Sequence, residues 1–125
     1  MTNKMISTSE IRRFSRLPVK ALCCLTDQGE SGQVTLVDIS LKGALLEVEG
    51  KRSLPVGRKC LLNIPLIPSK INLDFHVEVL HTRDTLVGVR FYRMDLETMI
   101  HLRGLLEAIT GDPDRIRDEI GALVE

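Results

Sequence analysis

Alternation is clearest between Ile71 and Thr82. Leu73, Phe75, Val77 and Val79 fall on one side there, and Asp74, His76 and Glu78 on the other. A period of two marks a strand with one buried face. Similar apolar stretches run from Val19 to Thr26, Gln33 to Ile39, Ala44 to Val48, Arg58 to Ile67 and Leu86 to Tyr92. Turn-forming residues separate them: Asp27 to Gly32, Ser40 to Gly43, Glu49 to Ser53, Pro55-Val56-Gly57 and Arg83-Asp84-Thr85. Pro18 disfavours helix at Leu17 and keeps the entry to the first strand extended. Pro65 lacks an amide donor, so its strand needs an edge position or a bulge there. Six or so short strands linked by turns predict a mainly β fold, a small antiparallel barrel.

The period changes after Asp95. That residue is a good N-cap, Glu97 sits in the first turn, and Gly111 closes the segment. Between them Leu96, Met99, Ile100, Leu102, Leu105, Leu106 and Ile109 form a wide apolar face. Such a face is expected to be buried, most simply against the barrel. Asp112-Pro113 starts a second helix by the cap and first-turn rules. Its narrower stripe of Ile116, Ile120, Leu123 and Val124 either docks back on the domain or meets a partner. The organisation read from this pattern is a flexible arm over residues 1–10, a β-barrel domain over 11–110 that includes a helix at 95–110, and a short helix within 111–125.

At 125 residues the chain is one domain with room for an ordinary core. A hydrophobic fraction of 43% and a charged fraction of 27% are those of a soluble globular protein. Zero net charge argues against non-specific nucleic-acid binding. So do three Phe, one Tyr and no Trp, too few aromatics for a stacking platform. The charge is uneven, however. The first 20 residues set Lys4, Arg12, Arg13, Arg16 and Lys20 against Glu10, and the last 19 set six acids against Arg115 and Arg117. A basic beginning suggests an anion site at that end.

Cys23, Cys24 and Cys60 lack disulfide or zinc spacing and read as small buried hydrophobes in a reducing compartment. Residues 1–10 are too polar for a secretory signal, and no apolar run suffices to span a membrane, so a cytoplasmic protein without membrane insertion is expected. His76, His81 and His101 lack metal-ligand spacing, and no glycine-rich phosphate loop is present. Neither a catalytic set nor a metal site is expected, and no cofactor.

Two polar sets flank the first two strands. Arg12-Arg13-Phe14-Ser15-Arg16 offers guanidinium forks, which bind phosphate in bidentate fashion and match the O6/N7 edge of guanine. Asp38-Ile39-Ser40-Leu41-Lys42-Gly43 offers a carboxylate that can accept from guanine N1 and N2, a hydroxyl, and a glycine that permits a positive φ or a close approach. Together they suit a phosphorylated guanine nucleotide. Each has a plainer reading. The arginines could be a solvated basic arm, and Asp38 and Ser40 could shape a turn through side-chain to backbone hydrogen bonds.

Arg12 and Arg16 fit RxxxR, and Asp38, Ser40 and Gly43 fit [DN]xSxxG, in that order and about 20 residues apart. On a β-rich chain of this length the pair resembles the PilZ domain, the bacterial receptor for cyclic di-GMP (c-di-GMP). The resemblance implies a six-stranded antiparallel barrel with a C-terminal helix or helices packed on it. The RxxxR segment would lie beside the barrel, facing the DxSxxG corner across the ligand. Arg12 and Arg16 would contact guanine edges and phosphates, and Arg13 could add a phosphate contact. Asp38 would accept from a guanine or hold an arginine, Ser40 would donate to a phosphate or base, and Gly43 would keep the corner low.

His81 falls where some family members carry a stacking aromatic. By strict alternation it follows the apolar face, so a half-buried structural histidine is the other reading. Family members that bind an intercalated nucleotide dimer tend to have an arginine just before RxxxR. Ile11 stands there, which favours one nucleotide per chain. The resemblance implies a receptor that changes shape and signals to an unidentified protein partner. The rival is a PilZ-like interaction module that binds no nucleotide; the retained Arg12, Arg16, Asp38 and Ser40 argue against it.

Overall fold

The computed structural model describes residues 14–50 and 54–123. Arg12 and Arg13, the expected arm over residues 1–10, and Val124 lie outside the described residues. Six strands form: β1 (Leu17–Asp27), β2 (Glu30–Ile39), β3 (Gly43–Glu47), β4 (Lys59–Leu66), β5 (Ile71–Arg83) and β6 (Leu86–Arg93). Helices α1 (Leu96–Thr110) and α2 (Pro113–Leu123) follow. The strands close into an antiparallel barrel in the order β1-β2-β3-β6-β5-β4. Closure satisfies backbone groups that an open sheet would leave unpaired.

The β1–β2 turn is tighter than its polar composition suggested. Asp27 pairs with Glu30, leaving a two-residue loop. Gln28 and Gly29 both have positive φ, as a hairpin turn matched to strand twist requires. Ser31 and Gly32 therefore belong to β2.

β4 closes the barrel against β1 through a short register, Cys24 to Thr26 against Asn63 to Leu61. Arg58 reinforces this seam by donating Nη1 to both Asp27 carboxylate oxygens, at 3.0 and 2.8 Å. Pro65 lies past the seam, where β4 pairs with β5 alone, which gives it the edge position expected of a strand proline.

The inward residues alternate as expected: Leu73, Phe75, Val77 and Val79 on β5, Leu25 on β1, Leu36 on β2, Leu46 on β3 and Ile64 on β4 are all buried. Phe75 and Phe91 stack with centroids 3.9 Å apart. α1 closes one end of this core with Leu102 and Leu106, both fully buried.

The wide apolar face expected on α1 is only partly covered. Met99 and Leu105 pack against the core, but Leu96 and Ile100 remain 75% and 57% exposed. The buried side of the helix carries Thr98, Leu102 and Leu106, and Leu96 and Ile100 each fall about 160° round the axis from Thr98. Asp95 caps α1 by accepting from the Thr98 amide at 2.7 Å, and Gly111 ends the helix in the left-handed region at φ 66°. Asp112 then caps α2, accepting from the Arg115 amide at 3.1 Å. α2 docks back on the domain, with Ile116 fully buried.

Candidate functional site

The Ser40 corner is built by its own side chain. Ser40 Oγ accepts from the amides of Lys42 (3.1 Å) and Gly43 (3.2 Å), and the Ser40 amide donates to the Gly43 carbonyl at 2.8 Å. Leu41 drops into the core and anchors the bend from below. Gly43 does not adopt a positive φ; it permits close approach instead. A Cβ there would sit 2.2 Å from the Val89 carbonyl oxygen. The glycine therefore lets β6 backbone, not only a ligand, come near. Of the two structural roles open to it in the sequence, the second applies.

The lead-in to β1 runs beside this corner. Leu17 pairs with Ile39 and Pro18 with Asp38. Arg16 Nη2 donates to Asp38 Oδ2 at 3.1 Å and to Oδ1 at 3.4 Å. The two side chains are 46% and 20% exposed, so the pair is solvated and contributes roughly 0–1 kcal/mol to folding. A guanidinium has five N–H donors, and this contact engages one nitrogen. Lys42 places its ammonium 5.2 Å from the centroid of Phe14, a second contact between lead-in and corner. Phe14 itself is buried.

His81 departs from strict alternation. Val79 pairs with Val89 and His81 with Gly88, so β5 carries one extra residue, Leu80, at this point. A bulge of this kind turns the following side chains over. His81 is exposed rather than half-buried, and its imidazole lies across Gly88, where a Cβ would meet Nε2 at 2.2 Å. The registers place Pro18, Asp38, Leu45, Gly88 and His81 in one row across five strands. Adjacent strands are about 4.8 Å apart, so Asp38 and His81 stand roughly 14 Å apart along the outer wall. Leu45 and Gly88 form the floor between them; sequence reasoning missed both because nothing local marks a cross-strand row.

Arg16, Asp38, Ser40 and Gly43 are thus together, and His81 is the far end of their row. A concavity of about 810 Å³ opens elsewhere, beside the β1–β4 seam and the start of α1. Asp74 and Asp95 line it with Arg93, a poor setting for a doubly charged anion. Among the described residues no cluster of His, Cys, Asp or Glu could hold a metal ion. None of Cys23, Cys24 and Cys60 forms a disulfide. Burial pushes the Cys23 thiol from 9.0 up to about 11, so it stays protonated and is no nucleophile at neutral pH.

These features define a small closed antiparallel β-barrel domain with Arg16 held against the Asp38 bend on its outer wall. A family profile described as PilZ domain matches residues 10–108, and the chain belongs to that family. PilZ domains are receptors and not enzymes, and this protein is accordingly not an enzyme.

Solved structures share the fold. The PilZ domain of YcgR from Escherichia coli with c-di-GMP superposes with a TM-score of 0.63 at 15% identity, covering 86% of this chain and 97% of that one. The PilZ domain of CeSA from a cellulose-synthesising bacterium gives a TM-score of 0.60 at 11% identity, covering 78% and 96%. PlzA from Borreliella burgdorferi, in complex with c-di-GMP, gives 0.51 at 15% identity, with 76% of this chain matching 35% of that protein.

Proposed function

We propose that this protein is a c-di-GMP receptor that grips the nucleotide between the RxxxR lead-in and the DxSxxG bend, then signals by a change of shape to a protein partner. The observation that carries this reading is the Arg16–Asp38 contact at 3.1 Å, between the last residue of RxxxR and the first of DxSxxG. Two solved PilZ proteins with the same barrel hold c-di-GMP.

Each residue has a role that its chemistry suits. Arg16 turns its fork from Asp38 toward a guanine edge or phosphate. Asp38 accepts from guanine N1 and N2 or keeps the Arg16 fork aimed. Ser40 holds the bend through its hydroxyl, and the Lys42 ammonium lies over the Phe14 ring beside it. Arg12 and Arg13 add phosphate contacts from the residues just ahead. His81, lying flat over Gly88, offers a stacking surface at the end of the row. One nucleotide per chain is the expected stoichiometry, since Ile11 replaces the extra arginine of dimer-binding relatives. The partner surface is the helical face, where Leu96 and Ile100 are exposed. No helix among the described residues is long and apolar enough to cross a membrane, and a cytoplasmic location suits a receptor for an intracellular messenger.

Calorimetry with c-di-GMP tests the reading. Arg16→Ala and Arg12→Ala should each weaken binding about 10- to 100-fold, the loss of one charge-assisted bidentate contact. Unchanged affinity in both variants would leave the non-binding interaction module as the better description.

A further inference from the structure

Ser15 is buried, and its partner comes from the other end of the chain. The Ser15 amide donates to Glu119 Oε1 at 3.0 Å, and Ser15 Oγ donates to Glu119 Oε2 at 2.6 Å. Glu119 lies on α2 with only 7% of its side chain exposed. Arg115 Nε, one turn back on the same helix, approaches Oε2 at 3.5 Å.

A buried carboxylate is costly unless donors surround it. α2 needs no such group for docking, since Ile116 and Ile120 already pack on the same side. The carboxylate sits where the lead-in has a backbone donor and a hydroxyl donor side by side, one residue from the Arg16 guanidinium. Two hydrogen bonds to one planar group fix both position and direction of the Ser15 peptide. Phe14, just before Ser15, is itself buried in the core, and Leu17 opens β1. Between these two anchors lie only Ser15 and Arg16, and Glu119 fixes Ser15.

We propose that Glu119 is a positioning residue for the nucleotide site: by clamping Ser15 it aims the Arg16 fork at the Asp38 corner, and it ties ligand binding to the docking of α2. This rests on the c-di-GMP reading. Coupling of this kind is reciprocal. If a docked α2 favours the ligand-ready lead-in, bound nucleotide holds α2 on the domain by the same factor. The C-terminal helix then becomes the element through which occupancy reaches a partner.

The test uses the full chain titrated with c-di-GMP, alongside hydrogen exchange of the α2 amides with and without nucleotide. Wild type should bind, and Glu119→Ala should bind about tenfold more weakly through lost preorganisation. Ser15→Ala removes only a hydroxyl and keeps the fold, so it carries the test if Glu119→Ala is unstable; a loss of about threefold is expected. Glu119→Gln, which keeps the shape but has one acceptor oxygen, should fall between wild type and Glu119→Ala. The double variant should bind no more weakly than Glu119→Ala, because both changes break one contact. In wild type, nucleotide should slow exchange around Ile116 to Ile120, and in Glu119→Ala it should not.

Wild-type affinity in both single variants, or tighter binding by Glu119→Ala, overturns the clamp and leaves the receptor reading standing. Absence of binding by wild type itself overturns the receptor reading, and the clamp with it.

Discussion

The lead-in to β1 has two anchors, one residue apart, and they differ in kind. Arg16 meets Asp38 in solvent, at 3.1 Å, with both side chains partly exposed. Ser15 meets Glu119 in the interior, with two hydrogen bonds to one carboxylate. The exposed pair is screened and replaceable, so a ligand can take its guanidinium without a large penalty. The buried pair cannot be broken without stranding a desolvated amide and a desolvated charge. Under the proposed c-di-GMP reading the two have different parts: one contact yields to the ligand and one holds the frame in which it yields.

The contrast can be broken most sharply by stability measurements. Glu119→Ala should lower unfolding free energy by about 1–3 kcal/mol, since Ser15 loses both acceptors in a buried place. Denaturant midpoints would measure it, and a loss near zero would mean that the carboxylate is not desolvated in solution. Ser40→Ala should cost about 1 kcal/mol, because two amides at the corner lose their hydroxyl acceptor. Arg16→Ala should cost at most about 1 kcal/mol in stability while giving the largest loss of affinity.

Sulfur repeats the contrast. Cys23 is buried and Cys24 is half-exposed, though adjacent. With its thiol raised to about 11, Cys23 should resist alkylation at about pH 8 where Cys24 reacts. The raised thiol favours the protonated native state. That share of stability is full below the ordinary 9.0 and lost as pH climbs through about 11. Alkaline unfolding of Cys23→Ala should therefore lack that component.

Much of this was legible in the residues. Alternation through β5, the caps at Asp95 and Asp112, and the breaks at Gly29 and Gly111 all follow from local chemistry, and local chemistry is what a sequence displays. The two motifs were legible as well, and the barrel sets Arg16 beside Asp38. What escaped was nonlocal. The extra residue at Leu80 that turns His81 outward depends on β6 across from it. The burial of Glu119 depends on a partner 104 residues away, so in the sequence it counted only as one of the six acids near the C-terminal end. Leu96 and Ile100 read as core because periodicity shows which side is apolar, not how much of it the neighbouring surface can cover.

The short β1–β4 register has its own outcome. Every other join in the wall is longer, so closure here leans more on the Arg58–Asp27 contact beside it. Opening there would part Cys24 from Asn63 and widen the hollow beside α1, while the wall bearing Asp38 and Gly88 stays closed. Any loosening at the seam would then fall away from the wall that the proposed nucleotide site occupies.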